Sequence, residues 1–340
     1  MNTVLPLCSS VVSLVFAAMV FDQWRQRRQA FQLVWSVGLL FYAVATGAEL
    51  IGSAFGWSTG LYRAWFLVGA FYVAAYLGMG TVYLLARTSF AYFAAVTVLF
   101  GGLLSLAAST AYPGSTQAAQ VTLAASVVAG LAIIAATALR RPWAPHLALA
   151  ALVLGSLVAA LLVAGAPLKS PGFAVDIHTG VPLPSAFPGY MQVVTLPFNV
   201  AGGLSLVFGA AFSAYVYMPK RRLLSVNTVR VPVLAQGWYF VAAAVNFVVS
   251  LPSALAALFA GRLNSRVPAT ILIMLGGFVP GLTSGLTRFG ITWAHFLGEL
   301  IGVLLIFAGF LVSEDVFRNL RLPAAGTVWR RRETKAEARG

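Results

Sequence analysis

Two glutamates and one histidine are the residues of this chain whose chemistry contrasts most with their surroundings. Glu49 and Glu299 are acidic side chains inside long apolar stretches, and His295 precedes Glu299 by four positions. An ionised carboxylate in hydrocarbon is costly, so one that is retained usually contacts a partner or water. Residues four apart lie on one face of a helix, so His295 and Glu299 are expected to be neighbours. The pattern predicts a polar centre whose Glu and His side chains exchange protons.

Further polar residues are expected at a similar membrane depth. Arg63, Asp176 and His178 lie in or beside loops on the side where Glu49 and His295 are expected. We therefore predict an outward-facing polar pocket that binds or transports a small molecule. The alternative is structural: Glu49 pairs with Arg63 across a short loop, and the histidine holds the second glutamate.

Metal and haem sites have weaker support in the sequence. Histidine and carboxylate suit zinc or iron, but Asp176, His178, His295 and Glu299 form no compact ligand motif, so no metal is assigned and the cofactor stays open. A haem held by two histidines needs His146 and His295 at similar depth, which only a ten-span topology provides. The sequence contains no phosphate-binding glycine loop and no serine nucleophile elbow. Whether the protein is an enzyme stays undecided.

Polar aromatic residues form stripes on the second and third apolar stretches. Trp35, Tyr42 and Glu49 recur every seven residues. The next stretch carries a second stripe on one helical face: Tyr62, Trp65, Gly69, Tyr72, Tyr76, Gly80 and Tyr83. Phenol hydroxyls in lipid need hydrogen-bond partners, so both stripes are expected to face the bundle interior. Tyr42, Tyr72 and Tyr76 are therefore candidate ligand-lining residues; the alternative is that these rings only fill gaps between helices.

The composition is that of an integral membrane protein. Hydrophobic residues make up 60% of 340 positions, charged residues make up 9%, and the mean hydropathy is +0.89. A soluble domain of this length needs more polar cover. The formal charge of +14 comes mainly from basic residues at the ends of apolar runs, which favours anionic lipid headgroups over nucleic acid as the partner. We predict an all-α polytopic helix bundle with one transmembrane domain, residues 1–313.

Basic residues predict the orientation of the first two thirds of the chain. Seven spans are predicted there: 3–22, 30–53, 61–85, 89–111, 118–139, 145–166 and 191–218. With the N-terminus outside, the outer loops hold only Arg63 and Lys169. The inner loops then hold Arg25, Arg27, Arg28, Arg87, Arg140, Arg141, Lys220, Arg221, Arg222 and Arg230. The positive-inside rule therefore predicts a bacterial cytoplasmic (inner) membrane protein with its N-terminus outside and its C-terminus inside.

The last third of the chain admits two topologies, because it contains the apolar segments 236–260, 267–287 and 291–312. If all three cross, there are ten spans and the basic tail lies outside. If one enters without crossing, there are nine spans and the tail lies inside, which we predict. The non-crossing segment is either 267–287, which glycines and a proline interrupt, or 236–260, which contains Asn246 and Pro252.

Two further segments and the function complete the sequence-based prediction. The connection 167–190 is rich in proline and is expected to be mobile or a lid. The basic tail, 314–340, is expected to be cytoplasmic and disordered. We predict a small-molecule binding or transport protein. The alternatives are a membrane enzyme or haem/redox subunit, and a non-catalytic sensor or assembly subunit that contacts other membrane subunits.

Overall fold

The computed structural model of the chain is a bundle of long α-helices. It describes residues 2–88, 90–139, 141–225, 232–260, 263–287 and 289–313, and, as backbone only, 320–322 and 326–329. Side chains are not described at 232–237 and 240. Within this part of the chain, ten helices are long and apolar enough to cross a bilayer. The predicted all-α polytopic membrane bundle is confirmed.

The helices follow the predicted apolar stretches. Their bounds are α1 Val4–Arg27, α2 Ala30–Phe55, α3 Thr59–Leu84, α4 Phe90–Ala108, α5 Thr116–Ala138, α6 Ala144–Gly165, α7 Gly189–Tyr217, α8 Pro232–Phe259, α9 Arg266–Thr287 and α10 His295–Val312. A π-helical turn, Val68–Tyr72, interrupts α3, and Thr195 separates the first turns of α7 from the rest. Of the tail 314–340, two short antiparallel strands are described, β1 Leu320–Leu322 and β2 Gly326–Trp329. The rest of the segment predicted to be disordered lies outside the described residues.

The two ends of the bundle carry different groups. At one end, named the loop end, the connection 166–188 lies against Asn2, which contacts Gly180. At the other end, named the basic end, lie Arg28 after α1 and the cationic residues 220–222 after α7. The helices α2 and α9 run toward the loop end, and α1, α3, α7 and α10 run away from it. In the predicted membrane orientation, the loop end would lie outside.

The segment 267–287 is the continuous helix α9, so the interruption predicted for it is wrong. α9 packs antiparallel along α10. A methyl group on Gly302 would overlap the ring of Pro280, and one on Gly276 would overlap the Gly302 carbonyl. The glycines therefore allow the two backbones to approach closely. Pro280 is accommodated inside the helix because the residue facing it has no side chain.

The segment 236–260 is the other candidate for the apolar segment that does not cross the membrane. It lies in α8, and the middle of α8 packs at the basic end. Asn246 Oδ1 accepts the backbone N–H groups of Leu223 and Leu224 at 2.7 and 3.0 Å. Its Nδ2 donates to the Leu224 carbonyl at 3.0 Å. One turn further along α8, Ser250 Oγ accepts the backbone N–H of Arg221 at 2.8 Å. The centre of α8 therefore lies at the level of the connection that follows α7.

The end of α7 and the start of α9 also lie together at the basic end. The Arg266 guanidinium donates to the Tyr217 hydroxyl at 2.6 Å. Met218, Ala254 and Val267 pack in one apolar cluster. Because α7 ends and α9 starts at the basic end, the segment between them, which contains α8, also begins and ends there. In the described part of the chain, the contacts thus agree with nine crossings plus one apolar segment at the surface.

A layer of apolar side chains fills the bundle between its two ends. Its buried members come from five helices, and Ile273 of α9 packs against them: Phe16, Ala17, Met19, Val20, Leu39, Tyr42, Leu77, Leu206, Val303, Ile306 and Phe310. A cavity of about 30 Å³ within this layer is lined by apolar residues, and such cavities stay dry. Polar groups at the loop end are therefore separated from the basic end by closely packed hydrocarbon.

Candidate functional site

Glu49, His295 and Glu299 meet near the loop end of the bundle and are named here the Glu–His–Glu cluster. His295 Nε2 lies 3.2 Å from Glu49 Oε1 and 3.4 Å from Glu299 Oε1. Glu49 is fully buried, and His295 is 7% exposed. The structure thus brings together three residues that are predicted from the sequence to lie at similar depth.

The directions of two helices place these side chains in contact. α2 runs toward the loop end and presents Glu49 in its last two turns. α10 begins at the loop end with His295 as its first residue. One helical turn later, Glu299 lies on the same face as His295. Because the two helices are antiparallel, the last part of one faces the first part of the other.

Two aromatic side chains hold the cluster in place. Trp65 Nε1 donates to Glu49 Oε1 at 2.8 Å, so this oxygen contacts both an indole N–H and the imidazole. The Tyr42 hydroxyl donates to the backbone carbonyl of Glu299 at 2.7 Å. Tyr42 lies about two helical turns before Glu49 and thereby links α2 to the Glu299 backbone in α10. Both aromatic residues come from the two stripes identified in the sequence.

Several polar atoms of the cluster have no hydrogen-bond partner among the described residues. They are Glu49 Oε2, Glu299 Oε2 and His295 Nδ1. Buried polar groups are normally hydrogen-bonded, and each exception calls for an explanation such as a bound ion. The ion pairs that the described residues form with the two carboxylates are both with His295. If both carboxyl groups ionise, the one imidazole can compensate only one of their two charges.

Arg63 lies apart from the cluster, so its predicted place in the polar pocket is wrong, and so is the alternative pairing of Glu49 with Arg63. The Arg63 guanidinium donates to the backbone carbonyls of Val163 and Ala166, the second at 2.8 Å. These carbonyls are at the C-terminus of α6, where the last C=O groups of a helix lack intrahelical partners and a cation is favoured. Arg63 therefore caps α6 and does not compensate Glu49.

The connection at the loop end is folded and tied to the start of α10. Asp176 Oδ1 accepts the backbone N–H groups of His178 and Thr179, and Asp176 Oδ2 accepts from the Thr292 hydroxyl at 3.2 Å. The backbone N–H groups of Thr179 and His178 lower the pKa of Asp176 below its usual value. The imidazole of His178 is exposed. Of the two loop candidates, Asp176 thus contacts the approach to the cluster, and His178 contributes its backbone to the turn.

Tyr72 and Tyr76 face a neighbouring helix rather than the cluster. The Tyr72 hydroxyl donates to the backbone carbonyl of Ser156 at 2.8 Å, and the Tyr76 hydroxyl donates to Ser156 Oγ at 3.4 Å. The ring of Phe41 packs against both tyrosine rings. Their hydroxyls are therefore satisfied between α2, α3 and α6. These contacts agree with the alternative interpretation, in which the rings fill gaps between helices.

Two members of the site were missed by the sequence-based prediction. Trp65 was seen as part of a stripe, but its bond to Glu49 spans sixteen residues and depends on the angle between α2 and α3. Thr292 precedes α10 in a segment without a motif. The π turn Val68–Tyr72 was also missed, and such turns occur frequently at functional sites. The periodic stripe marks Trp65 as facing the bundle interior but does not indicate its bond to Glu49, and no periodic pattern marks Thr292 or the π turn.

The histidines needed for a bis-histidine haem lie far apart in the bundle. His146 starts α6 near the basic end, where its Nδ1 is 2.7 Å from the Tyr83 hydroxyl. His295 lies in the Glu–His–Glu cluster near the loop end. The apolar layer separates the two histidines, so the paired arrangement considered for haem does not form.

The fold and the site define a polytopic helical membrane protein with a buried Glu–His–Glu cluster near one end. Comparison of the chain with protein-family models, curated proteins and solved structures found no match. Any function is therefore inferred from the chemistry of the cluster itself.

Proposed function

We propose that this protein binds, and carries across the membrane, a small cationic solute at the Glu–His–Glu cluster. The observation that supports the proposal is the set of two carboxylates that contact a single imidazole inside the bundle. Carboxylates retained inside membrane helices commonly mark ion or substrate pathways. A role limited to fold stability would be served better by apolar side chains, because desolvation offsets most of the gain from a buried ion pair.

The charges of the cluster determine the sign of the charge on the solute. Two ionised carboxylates carry two negative charges, and even a protonated His295 compensates only one of them. A cation or additional protons must supply the remainder in a low-dielectric site. Protons therefore compete with the solute for the cluster, and solute binding is expected to weaken as the pH falls.

The surroundings of the cluster agree with access from the loop end. Thr292 and Asp176 join the start of α10 to the connection 166–188 above it. In the orientation predicted from the basic residues, this end faces outward in a cytoplasmic membrane. We further propose that anionic lipid headgroups contact the cationic residues 220–222 at the basic end.

Charge-neutral substitutions test the proposal. The full-length protein in detergent is melted in the presence of K⁺, Na⁺, Mg²⁺, Zn²⁺ or tetramethylammonium, at several pH values. We expect at least one of these cations to stabilise the protein, and Glu49→Gln and Glu299→Gln to abolish that stabilisation and its pH dependence. Asp22→Asn is the matched control, because Asp22 is an acidic residue at the basic end that contacts Gln26.

Transport is measured separately, as uptake of the stabilising cation into liposomes that contain the protein. We expect uptake by the wild type and by Asp22→Asn, and none by the two glutamine variants. If both glutamine variants retain the stabilisation and its pH dependence, the cluster has only a structural role and the proposal is wrong.

A further inference from the structure

We infer that the solute is a divalent transition-metal ion, bound by His295 Nε2 and by carboxylate oxygens of Glu49 and Glu299. This inference rests on the proposed function, since it names the class of cation for the same cluster. One ligand atom from each of the three residues can be chosen so that all three lie within 4.8 Å of one another. The sequence alone gave no compact motif for this set, because Glu49 is 246 positions from His295.

The spacing of the ligand atoms matches tetrahedral coordination. Zinc lies about 2.0–2.2 Å from imidazole nitrogen or carboxylate oxygen, which separates two ligands of a tetrahedron by about 3.3–3.6 Å. The Nε2 atom of His295 lies 3.2 Å from Glu49 Oε1 and 3.4 Å from Glu299 Oε1. One ligand atom from each residue lies within 4.8 Å of the other two, which is close enough for a single ion to bring all three together, whereas an organic cation would have to separate the three side chains.

The charge of the cluster selects a divalent ion. Two carboxylates and a neutral imidazole bring two negative charges, so one divalent cation makes the complex neutral. A monovalent cation would leave one uncompensated charge in the buried site, which is costly. The metal would also approach the unpartnered second oxygens of Glu49 and Glu299, either of which could ligate together with its neighbour.

The type of donor favours a transition metal over calcium or magnesium. Calcium takes six to eight oxygen ligands, and magnesium requires octahedral geometry and usually keeps several waters. A mixed set of imidazole and carboxylate suits zinc, manganese or iron. Three protein ligands leave a fourth tetrahedral position open. The open fourth position lets the ion exchange ligands as it enters and leaves the site, which transport requires.

Neighbouring side chains would orient the ligands. Trp65 donates to Glu49 Oε1 at 2.8 Å, and Tyr42 binds the backbone of Glu299. Hydrogen bonds of this kind fix metal-ligand side chains in their binding orientation, and their loss typically weakens metal binding by about 10–100-fold. The cluster thus has both a ligand set and the contacts that position it.

Zinc binding to the purified protein tests the inference. The full-length protein in detergent is treated with a chelator, which is then removed, and Zn²⁺ alone is titrated by calorimetry. We expect one ion per chain. His295→Gln should lower the affinity by at least about tenfold, and the matched control His178→Gln should leave it unchanged, because that imidazole is exposed. Equal losses in the two variants, or no binding by the wild type, would overturn the inference.

A second measurement uses the wild type alone and does not depend on the folding of a variant. X-ray absorption at the zinc edge of the loaded protein should show one imidazole together with oxygen ligands at about 2.0–2.2 Å. A sulfur ligand from Cys8, or a zinc shell without imidazole, would show that the ion binds elsewhere.

The two proposals fail in different ways. If Zn²⁺ does not bind but another cation stabilises the wild type and not Glu49→Gln, the metal assignment is wrong and the proposed function stands. If no cation distinguishes the wild type from Glu49→Gln, both are wrong.

Discussion

Two buried polar sites at opposite ends of the bundle differ in whether their hydrogen bonds are complete. At the basic end, Asn246 uses its amide oxygen and nitrogen to satisfy backbone groups of Leu223 and Leu224. At the loop end, Glu49 and Glu299 each keep one carboxylate oxygen without a partner in the described part of the chain. A buried polar group whose bonds are complete stabilises the fold, whereas one whose bonds are incomplete is suited to a ligand.

Substitution at the basic end should produce the largest loss of stability. Asn246→Ala removes three hydrogen bonds at a residue that is 1% exposed. Leaving those backbone groups unpaired is expected to cost about 2–3 kcal/mol of unfolding free energy. Reversible unfolding in mixed micelles measures this loss. Zinc affinity should be unchanged in the folded fraction, and a variant that loses zinc binding instead would remove the distinction between the two ends.

Substitution of the indole donor should affect binding more than stability. Trp65→Phe removes the hydrogen bond to Glu49 Oε1 and keeps an aromatic ring in place. We expect about tenfold weaker zinc binding by calorimetry. Trp57→Phe is the matched control, because the Trp57 ring packs against Trp65 with centroids 6.0 Å apart. Equal weakening in the two variants would show that aromatic packing, and not the hydrogen bond, positions the glutamate.

The smallest effect is expected in the connection at the loop end. Because backbone N–H groups lower the pKa of Asp176, the folded state favours the ionised form, and its contribution to loop order is present at neutral pH. That contribution is lost as the pH falls through the lowered pKa. The protection of the His178 and Thr179 amides against hydrogen exchange, measured relative to the intrinsic exchange rate at each pH, should therefore fall on acidification.

A substitution and a control define this pH effect. Asp176→Asn should remove the acid dependence of this protection, because its side chain does not ionise. His178→Gln should preserve it, since the imidazole is exposed and the backbone N–H remains. Acid-dependent protection that persists in Asp176→Asn would assign the effect to a different group.

Much of the architecture follows from the sequence because apolar length and charge are local properties. The apolar stretches predict the helices, and the requirement that buried carboxylates find partners predicts that Glu49, His295 and Glu299 lie at one depth. The rest depends on geometry between distant segments. Pro280 predicts a break from the sequence alone, because its contact with Gly302 of another helix is not visible there. The alternative pairing of Arg63 with Glu49 fails because Arg63 binds carbonyls that are about 100 positions away in the chain.

The π-helical turn Val68–Tyr72 has a mechanical consequence for α3. It places one extra residue in the turn. Successive residues of an α-helix are about 100° apart around the helix axis. If this turn reverted to a regular α-helix, the first half of α3 would rotate about its axis relative to the second half. Trp65 would then point away from Glu49, while Tyr76 could keep its place beside α6. The free energy of converting this turn to a regular α-helix would therefore determine how readily the hydrogen bond from Trp65 to Glu49 breaks.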